Sequence, residues 1–240
     1  MADRRPADAS VRLAQKRRQR RRRHAARAVA AFLVVAIVAG LVWVVGFSQA
    51  FAASTVTVTG VSVLTAADVT AAAQVPLGTP LIRLDTAGVA KRVSALKPVA
   101  SVTVSRSLPN KVVIAVTERT AVYAVSSSAG FDLVDATGVP YTSVLEVPAG
   151  LLVANISGDS QRLRRDVATV AVALPATVRE RAILVTATSP DSIVLELRGG
   201  AEVVWGSAEK SDEKATVIAT LLSIPATVYD VSSPSHPTTR

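Results

Sequence analysis

Twenty residues from Ala28 to Phe47 (AVAAFLVVAIVAGLVWVVGF) carry no charge and no strongly polar side chain, and this run constrains the chain more than any other feature. As a helix it would be about 30 Å long, the hydrocarbon thickness of a bilayer. KRRQRRRRHAAR precedes it and the uncharged SQAFAAS follows it. That asymmetry predicts a transmembrane helix over 28–50, a cytoplasmic basic tail over 1–27, and an extracytoplasmic remainder. Trp43 and Phe47 fall near the outer end, where aromatic rings favour the interface. A cleaved signal peptide is the competing reading, because Ala50-Phe51-Ala52 has the small-x-small form of a cleavage site. The apolar run, however, exceeds the usual central region of such a peptide, and the charged stretch before it is long.

The formal charge of +9 would suggest a polyanion ligand if it were spread over the fold. It is confined to the tail, where residues 1–27 hold eleven basic and two acidic side chains. Residues 28–240 hold sixteen of each. Arg17, Arg18, Arg20, Arg21, Arg22 and Arg23 are therefore read as topology determinants that lie on anionic lipids. Without interleaved aromatics to stack on bases, nucleic acid is not an expected partner. The chain has no cysteine, so the outer part is expected to stand on packing without disulfides. With only His24 and His236 present, a histidine metal cluster or a Ser-His-Asp relay has nothing to be built from. No catalytic, cofactor or metal residues are assigned, and no enzyme activity is expected.

Beyond the anchor, the pattern predicts an α+β protein. Thr55-Val56-Thr57-Val58-Thr59 alternates as a half-buried strand does. Thr65 and Asp68 form a capping pair for a short helix to Ala73, and Asp85 caps a second helix with Val89, Val93 and Leu96 on one side. Pro98 ends that helix, and strands around Val102 and around Val112-Ile114-Val116 flank a turn at Leu108-Pro109-Asn110. This gives a β-α-α-β-β block over 54–120.

A second block, over 121–233, begins with a meander through Ala121–Val125, Phe131–Val134 and Val139–Val144, with a turn at Asp135–Gly138. Asp135 is expected to hydrogen-bond its own turn. Leu151–Ile156 reads as a strand, and Leu163, Val167, Val170, Ala171 and Leu174 share one helix face. Gly199-Gly200 joins Ile193–Leu197 to Ala201–Trp205 in a hairpin, with Trp205 in the core. Val217, Ile218, Leu221 and Leu222 mark the inner face of a further helix closed by Pro225, and Thr227–Ser232 is the last strand. Residues 234–240 are expected to be an irregular tail, since Pro234 and Pro237 interrupt them. The charged pair Glu118-Arg119 falls at the junction of the two blocks, so an inter-domain salt bridge competes with plain solvation at a strand end, and solvation is the commoner state of exposed pairs.

Several strings, in this order, together resemble the FtsQ/DivIB family of bacterial division proteins, in its actinobacterial form. VTVTGVSVLTAADVTAAAQVPLGTPLIRLD (56–85) looks like the start of the family's POTRA domain, and KPVASVTVSRSLPNKVVIAVTER (97–119) like its closing hairpin. FDLVDATGVPY (131–141), VVWGSAEKSDEKATVIATLL (203–222) and YDVSSPSHPTT (229–239) are similar to landmarks of the family's β domain. Thr120-Ala121 stands where the family has a proline.

The resemblance implies a non-enzymatic bitopic scaffold of the divisome at the septal plasma membrane. Its implied partners outside the membrane are FtsB- and FtsL-type proteins and other divisome members. A last strand with an unpaired edge offers backbone groups to an added strand. The partner contact is therefore expected on Tyr229, Asp230, Val231, Ser232 and Ser233, with Lys214 on the preceding helix as a second surface; for Tyr229, half-burial on its own sheet is an equal alternative. The alternative is a secreted binding module released after Ala52.

Overall fold

The computed structural model of the chain describes Arg27, residues 29–40, Trp43, residues 48–158 and residues 160–240. The arginines from Arg17 to Arg23 lie outside the described residues. Residues 29–40 are helical. Their apolar side chains point outward all round, with Phe32 at 72 % and Val35 at 65 % exposed. Among the described residues no helix is long and apolar enough to cross a membrane. The predicted helix over 28–50 is thus described only in part, and its end differs from expectation. Gln49–Phe51 form a 3-10 turn, with the Ser48 hydroxyl accepting from the Ala50 N–H at 3.2 Å.

The chain divides into two compact units. One holds the chain up to Thr57 with Gln74–Val89 and Val104–Ile114, and the other holds Val58–Ala73, Ala90–Thr103 and Ala115–Arg240. The first elements are β1 (Thr55–Thr59), α1 (Ala66–Ala73), α2 (Thr86–Ser94), β2 (Val99–Ser107) and β3 (Lys111–Glu118), in the β-α-α-β-β order that the pattern predicts. Their sheet has the order β1-β3-β2, so the hairpin partner β3 sits in the centre. Its alternating Val112, Ile114 and Val116 are buried accordingly. Thr65 and Asp68 make the reciprocal cap at the start of α1, with Asp68 N–H to Thr65 Oγ1 at 3.1 Å and Thr65 N–H to Asp68 Oδ2 at 3.2 Å. Asp85 Oδ1 accepts from the Gly88 N–H at 2.9 Å at the start of α2.

The remaining strands are β4 (Ala121–Ser127), β5 (Gly130–Asp135), β6 (Pro140–Val144), β7 (Leu152–Ile156), β8 (Ala182–Ser189), β9 (Ser192–Leu197), β10 (Glu202–Gly206), β11 (Val228–Asp230) and β12 (Thr238–Thr239). They form one nine-stranded mixed sheet in the order β12-β11-β10-β9-β8-β7-β4-β5-β6. Three helices connect them: α3 (Gln161–Ala173), the short α4 (Ala176–Arg179) and α5 (Ser211–Leu221). β7 with β8, and β10 with β11, pair in parallel, which requires a crossover. The chain supplies α3 and α4 for the first and α5 for the second. The main core lies under these helices, where Leu163, Val167, Val170 and Ala171 of α3 pack into a buried cluster with Tyr123, Val185, Leu195 and Trp205.

Two expectations about the end of the chain are corrected. The last strand is shorter than Thr227–Ser232, and residues 234–240 are not wholly irregular. Thr238–Thr239 pair antiparallel with β11, placing Tyr229 opposite Thr239 and Asp230 opposite Thr238. Pro234 and Pro237 stay outside this ladder, and the β-branched threonines beyond them suit it. The inner face of α5 also differs. Its buried residues are Ser211, Lys214, Ala215 and Ile218, while Val217, Leu221 and Leu222 are only partly buried.

Candidate functional site: the β11–β12 edge

The corner made by β10, α5, β11 and β12 begins at Trp205, whose ring is wholly buried. Its indole N–H donates to Ser211 Oγ at 3.1 Å, and that hydroxyl donates to the Ala208 carbonyl at 2.8 Å. A buried indole needs such a partner, and the Ser at the start of α5 provides it. Gly206 follows with φ +73°, and a Cβ there would stand 2.9 Å from the Ser232 Cβ. The close approach of the chain after β11 therefore requires glycine at this position.

Lys214, one turn into α5, turns inward and is 1 % exposed. Its Nζ donates to the carbonyls of Trp205 at 2.9 Å and Ser207 at 2.8 Å. The ammonium thus ties the helix to the chain that leaves β10, satisfying carbonyls that the left-handed turn at Gly206 takes out of the ladder. Burial pulls the Lys214 pKa down, while the negative charges of Glu209 and Asp230 work in the opposite direction.

Tyr229 and Val231 also face inward, at 5 % and 0 % exposure. The Tyr229 hydroxyl donates to the Ile224 carbonyl at 2.8 Å, and the Val231 N–H donates to the Val204 carbonyl at 3.0 Å. Asp230 is half-buried; its Oδ1 accepts from the Ser232 N–H at 3.0 Å and from the Ser232 hydroxyl at 2.7 Å. Ser232 and Ser233 are exposed. The six expected contact residues therefore separate. Asp230, Ser232 and Ser233 present polar atoms at the surface, while Tyr229, Val231 and Lys214 are committed to the interior.

The backbone edge is occupied as well. The Arg240 N–H donates to the Val228 carbonyl at 2.9 Å, and the Arg240 carbonyl accepts from Val228 at 3.1 Å and Thr227 at 2.7 Å. A short piece of the chain's own carboxy end covers the position that an added strand would take. Sequence reading missed this cap. The only local signal was the Thr-Thr pair between Pro237 and Arg240.

A second polar cluster explains the Thr117-Glu118-Arg119 string, and it corrects the expectation of solvated charges. Glu118 reaches back more than fifty residues. Its carboxylate accepts from the Ser62 hydroxyl at 2.7 Å, the Val63 N–H at 2.9 Å and the Leu64 N–H at 2.8 Å. Desolvation raises its pKa, but these bonds outweigh it and bring the group down to about 2. Arg119 pairs with Asp135 and also donates to the Lys97 carbonyl at 3.1 Å. Asp135 Oδ1 collects Val139 N–H, Thr137 N–H and Thr137 Oγ1, as expected of its turn, at 2.9, 2.9 and 2.8 Å. Burial pushes the Asp135 pKa up; the turn bonds and Arg119 outweigh it and hold the carboxyl below its ordinary value.

Comparison with known proteins agrees with this architecture. Residues 51–119 match the family model described as the FtsQ-type POTRA domain. The chain is 37 % identical over 210 residues to "Cell division protein FtsQ" of Streptomyces bingchenggensis, covering 82 % of this chain and 79 % of that protein. It is 38 % identical over 216 residues to the protein of the same name from Streptomyces venezuelae, covering 85 % and 80 %. With the Mycobacterium tuberculosis protein so named it shares 34 % identity over 216 residues, covering 89 % and 69 %.

Proposed function

The chain belongs to the FtsQ family of cell division proteins, and from that premise we propose that it is a single-pass type II scaffold of the divisome, non-enzymatic, with its folded part outside the plasma membrane. In this reading the run over 28–47 spans the bilayer and the arginine tail holds the amino terminus in the cytoplasm on anionic lipid. The outward-facing apolar side chains of residues 29–40 support it, since a helix that is apolar all round is stable only when something apolar surrounds it. The protein gathers at the division septum and there engages FtsB- and FtsL-type partners.

Release after Ala52 is disfavoured by one observation. Ala53 is fully buried, and its N–H donates to the Thr79 carbonyl at 2.9 Å. Cleavage would place a charged ammonium at that enclosed position, which is costly.

The observation that carries the partner reading is the geometry of the last edge. β11 presents backbone groups in strand register, and only the short β12 covers them. A partner strand takes the place of Thr238–Arg240, pairs with Val228–Asp230, and meets Asp230, Ser232 and Ser233 at its margin. A fluorescent fusion of the full chain is expected to gather at septa, and Val228→Pro, which removes the outward N–H of β11 while leaving Tyr229 and Val231 in place, is expected to lower capture of an FtsB-type segment strongly. A uniform membrane distribution would contradict the divisome role, and undiminished capture would contradict the edge.

A further inference from the structure

The residues that follow the apolar run are fastened to two loops. Ala53 N–H donates to Thr79 O at 2.9 Å and Gly78 N–H to Ala53 O at 2.8 Å, while Ser54 and Thr55 both donate to Asn110 O, at 2.9 and 3.4 Å. Ala52 also bridges to Pro80. The loop before α2 and the turn between β2 and β3 are thus held beside the point where the chain leaves the apolar run. All of these residues belong to one compact unit.

The same loops expose three large apolar side chains: Leu77 at 62 %, Ile82 at 58 % and Leu108 at 68 %. Leu77 adjoins Gly78, Ile82 lies in the 3-10 turn Leu81–Arg83 just after Pro80, and Leu108 stands at the tip that carries Asn110. Exposed apolar side chains are unremarkable singly, but these three all sit on the loops fastened to one strand entry. Leu77 also lines an open groove of about 520 Å³ with Gln49, Ala52, Ala53, Ser54 and Gly78.

Charge is unevenly shared. From Ser48 onward this unit holds Arg83, Arg106 and Lys111 against Asp85 alone, whereas the rest of the chain beyond residue 28 holds thirteen basic and fifteen acidic residues. Asp85 turns to the Gly88 N–H, and Arg106 donates to the Leu84 carbonyl at 2.8 Å.

Distance decides what this patch can meet. Only Ser48–Phe51 separate Phe47 from Ala52, and three of these four are coiled in a 3-10 turn. Ala52 therefore lies within about 10–15 Å of the end of the apolar run. The polar headgroup layer is itself about 5–8 Å thick on each side. Loops hydrogen-bonded to Ala52–Thr55 are therefore held at that layer or just outside it, within reach of side chains that project toward the bilayer.

We infer that this end of the folded part is a bilayer-docking surface: Leu77, Ile82 and Leu108 enter the outer headgroup–acyl boundary, and Arg83, Arg106 and Lys111 lie against anionic headgroups. The inference rests on the reading of 28–47 as a membrane span, and it makes the loops a second, interfacial hold that fixes how the domain stands on the membrane.

The absence of native cysteine makes the test direct. Nitroxide labels on single-cysteine variants of the full chain (Phe32→Cys, Leu77→Cys, Ile82→Cys, Leu108→Cys and Leu145→Cys) are read in vesicles of phosphatidylcholine and phosphatidylglycerol by accessibility to oxygen and to a water-soluble nickel chelate. Labels at 77, 82 and 108 are expected about 5–10 Å below the phosphates. The label at 145, on a side chain 84 % exposed, is expected in water. If 32 is deep while 77, 82 and 108 match 145, docking is overturned and the span stands. If 32 is itself in water, the span fails and docking with it. In phosphatidylcholine alone the loop labels are expected to become shallower, and an unchanged depth would remove the basic residues from the account.

Discussion

The two ends of the nine-stranded sheet solve the same problem differently. At one end, β6 is an edge strand that begins with Pro140, which has no N–H to offer, and a register irregularity between Leu133 and Val134 disturbs its pairing with β5. Such features belong to the strand itself and blunt the edge permanently. At the other end, β11 carries no proline and is covered by a separate piece, the two residues of β12. A cover of only two residues is held by few ladder bonds and can be exchanged without disturbing the strands beneath it. On the proposed reading, the difference between the two ends is that the β11 edge is kept shut by a short exchangeable segment, whereas the β6 edge is blunted by its own sequence.

Under β11 the interior is closely packed, and the largest predicted effect breaks the comparison there. Val231→Lys buries an ammonium where Val231 is now fully enclosed. Thermal or denaturant unfolding of the outer part is expected to show a loss of about 3–5 kcal/mol. Loss of partner capture in this variant would reflect folding, not contact.

Lys214→Ala comes next. It leaves the Trp205 and Ser207 carbonyls without their donor and is expected to cost about 2–3 kcal/mol. If Lys214 were instead a contact residue, stability would hold and only capture would fall, so the two readouts together decide.

Deleting Thr238–Arg240 sharpens the comparison in the opposite direction. Removing the competing cover is expected to strengthen capture of a partner segment by about tenfold, corresponding to ~1.4 kcal/mol. Unchanged or weaker capture would mean that the partner uses β12 itself. The corresponding change at the other edge, Leu145→Glu just beyond β6, is expected to leave both stability and capture within about 0.5 kcal/mol.

A smaller effect appears with acid. The folded Glu118 pKa of about 2 lies below its ordinary value of 4.5, so the folded state binds the proton less readily than the unfolded state. Its stabilisation is present above about pH 4.5 and is lost as pH falls through 2. Asp135, also depressed, contributes in the same direction. Glu118→Gln is expected to cost about 1 kcal/mol at neutral pH and to flatten the acid dependence, measured by unfolding from pH 7 to pH 2.

Much of this was legible in the sequence because it is local. Alternation set β1 and β3, the Thr65–Asp68 pair set the start of α1, and Gly199-Gly200 set the β9–β10 hairpin. What was not legible depends on distance. Glu118 finds its donors more than fifty residues earlier, so nothing beside it reveals that it is held. Lys214 reads as a solvated helix charge unless the carbonyls freed at Gly206 are known to lie beneath it. The cap is hidden for a third reason, because Pro234 and Pro237 mark a broken segment without telling where the chain returns. The candidate site was placed on β11 by its order in the family strings, while the division into buried and exposed residues needed the fold.

Amide hydrogen exchange of the full chain, with and without an FtsB-type segment, tests the central claim most directly. Free, the Val228 and Arg240 amides are both expected to be protected by their mutual pairing. With the segment bound, Val228 is predicted to stay protected while Arg240 exchanges freely. Persistent protection of Arg240 alongside new protection in Tyr141–Val144 would place the partner at the opposite edge and contradict the account.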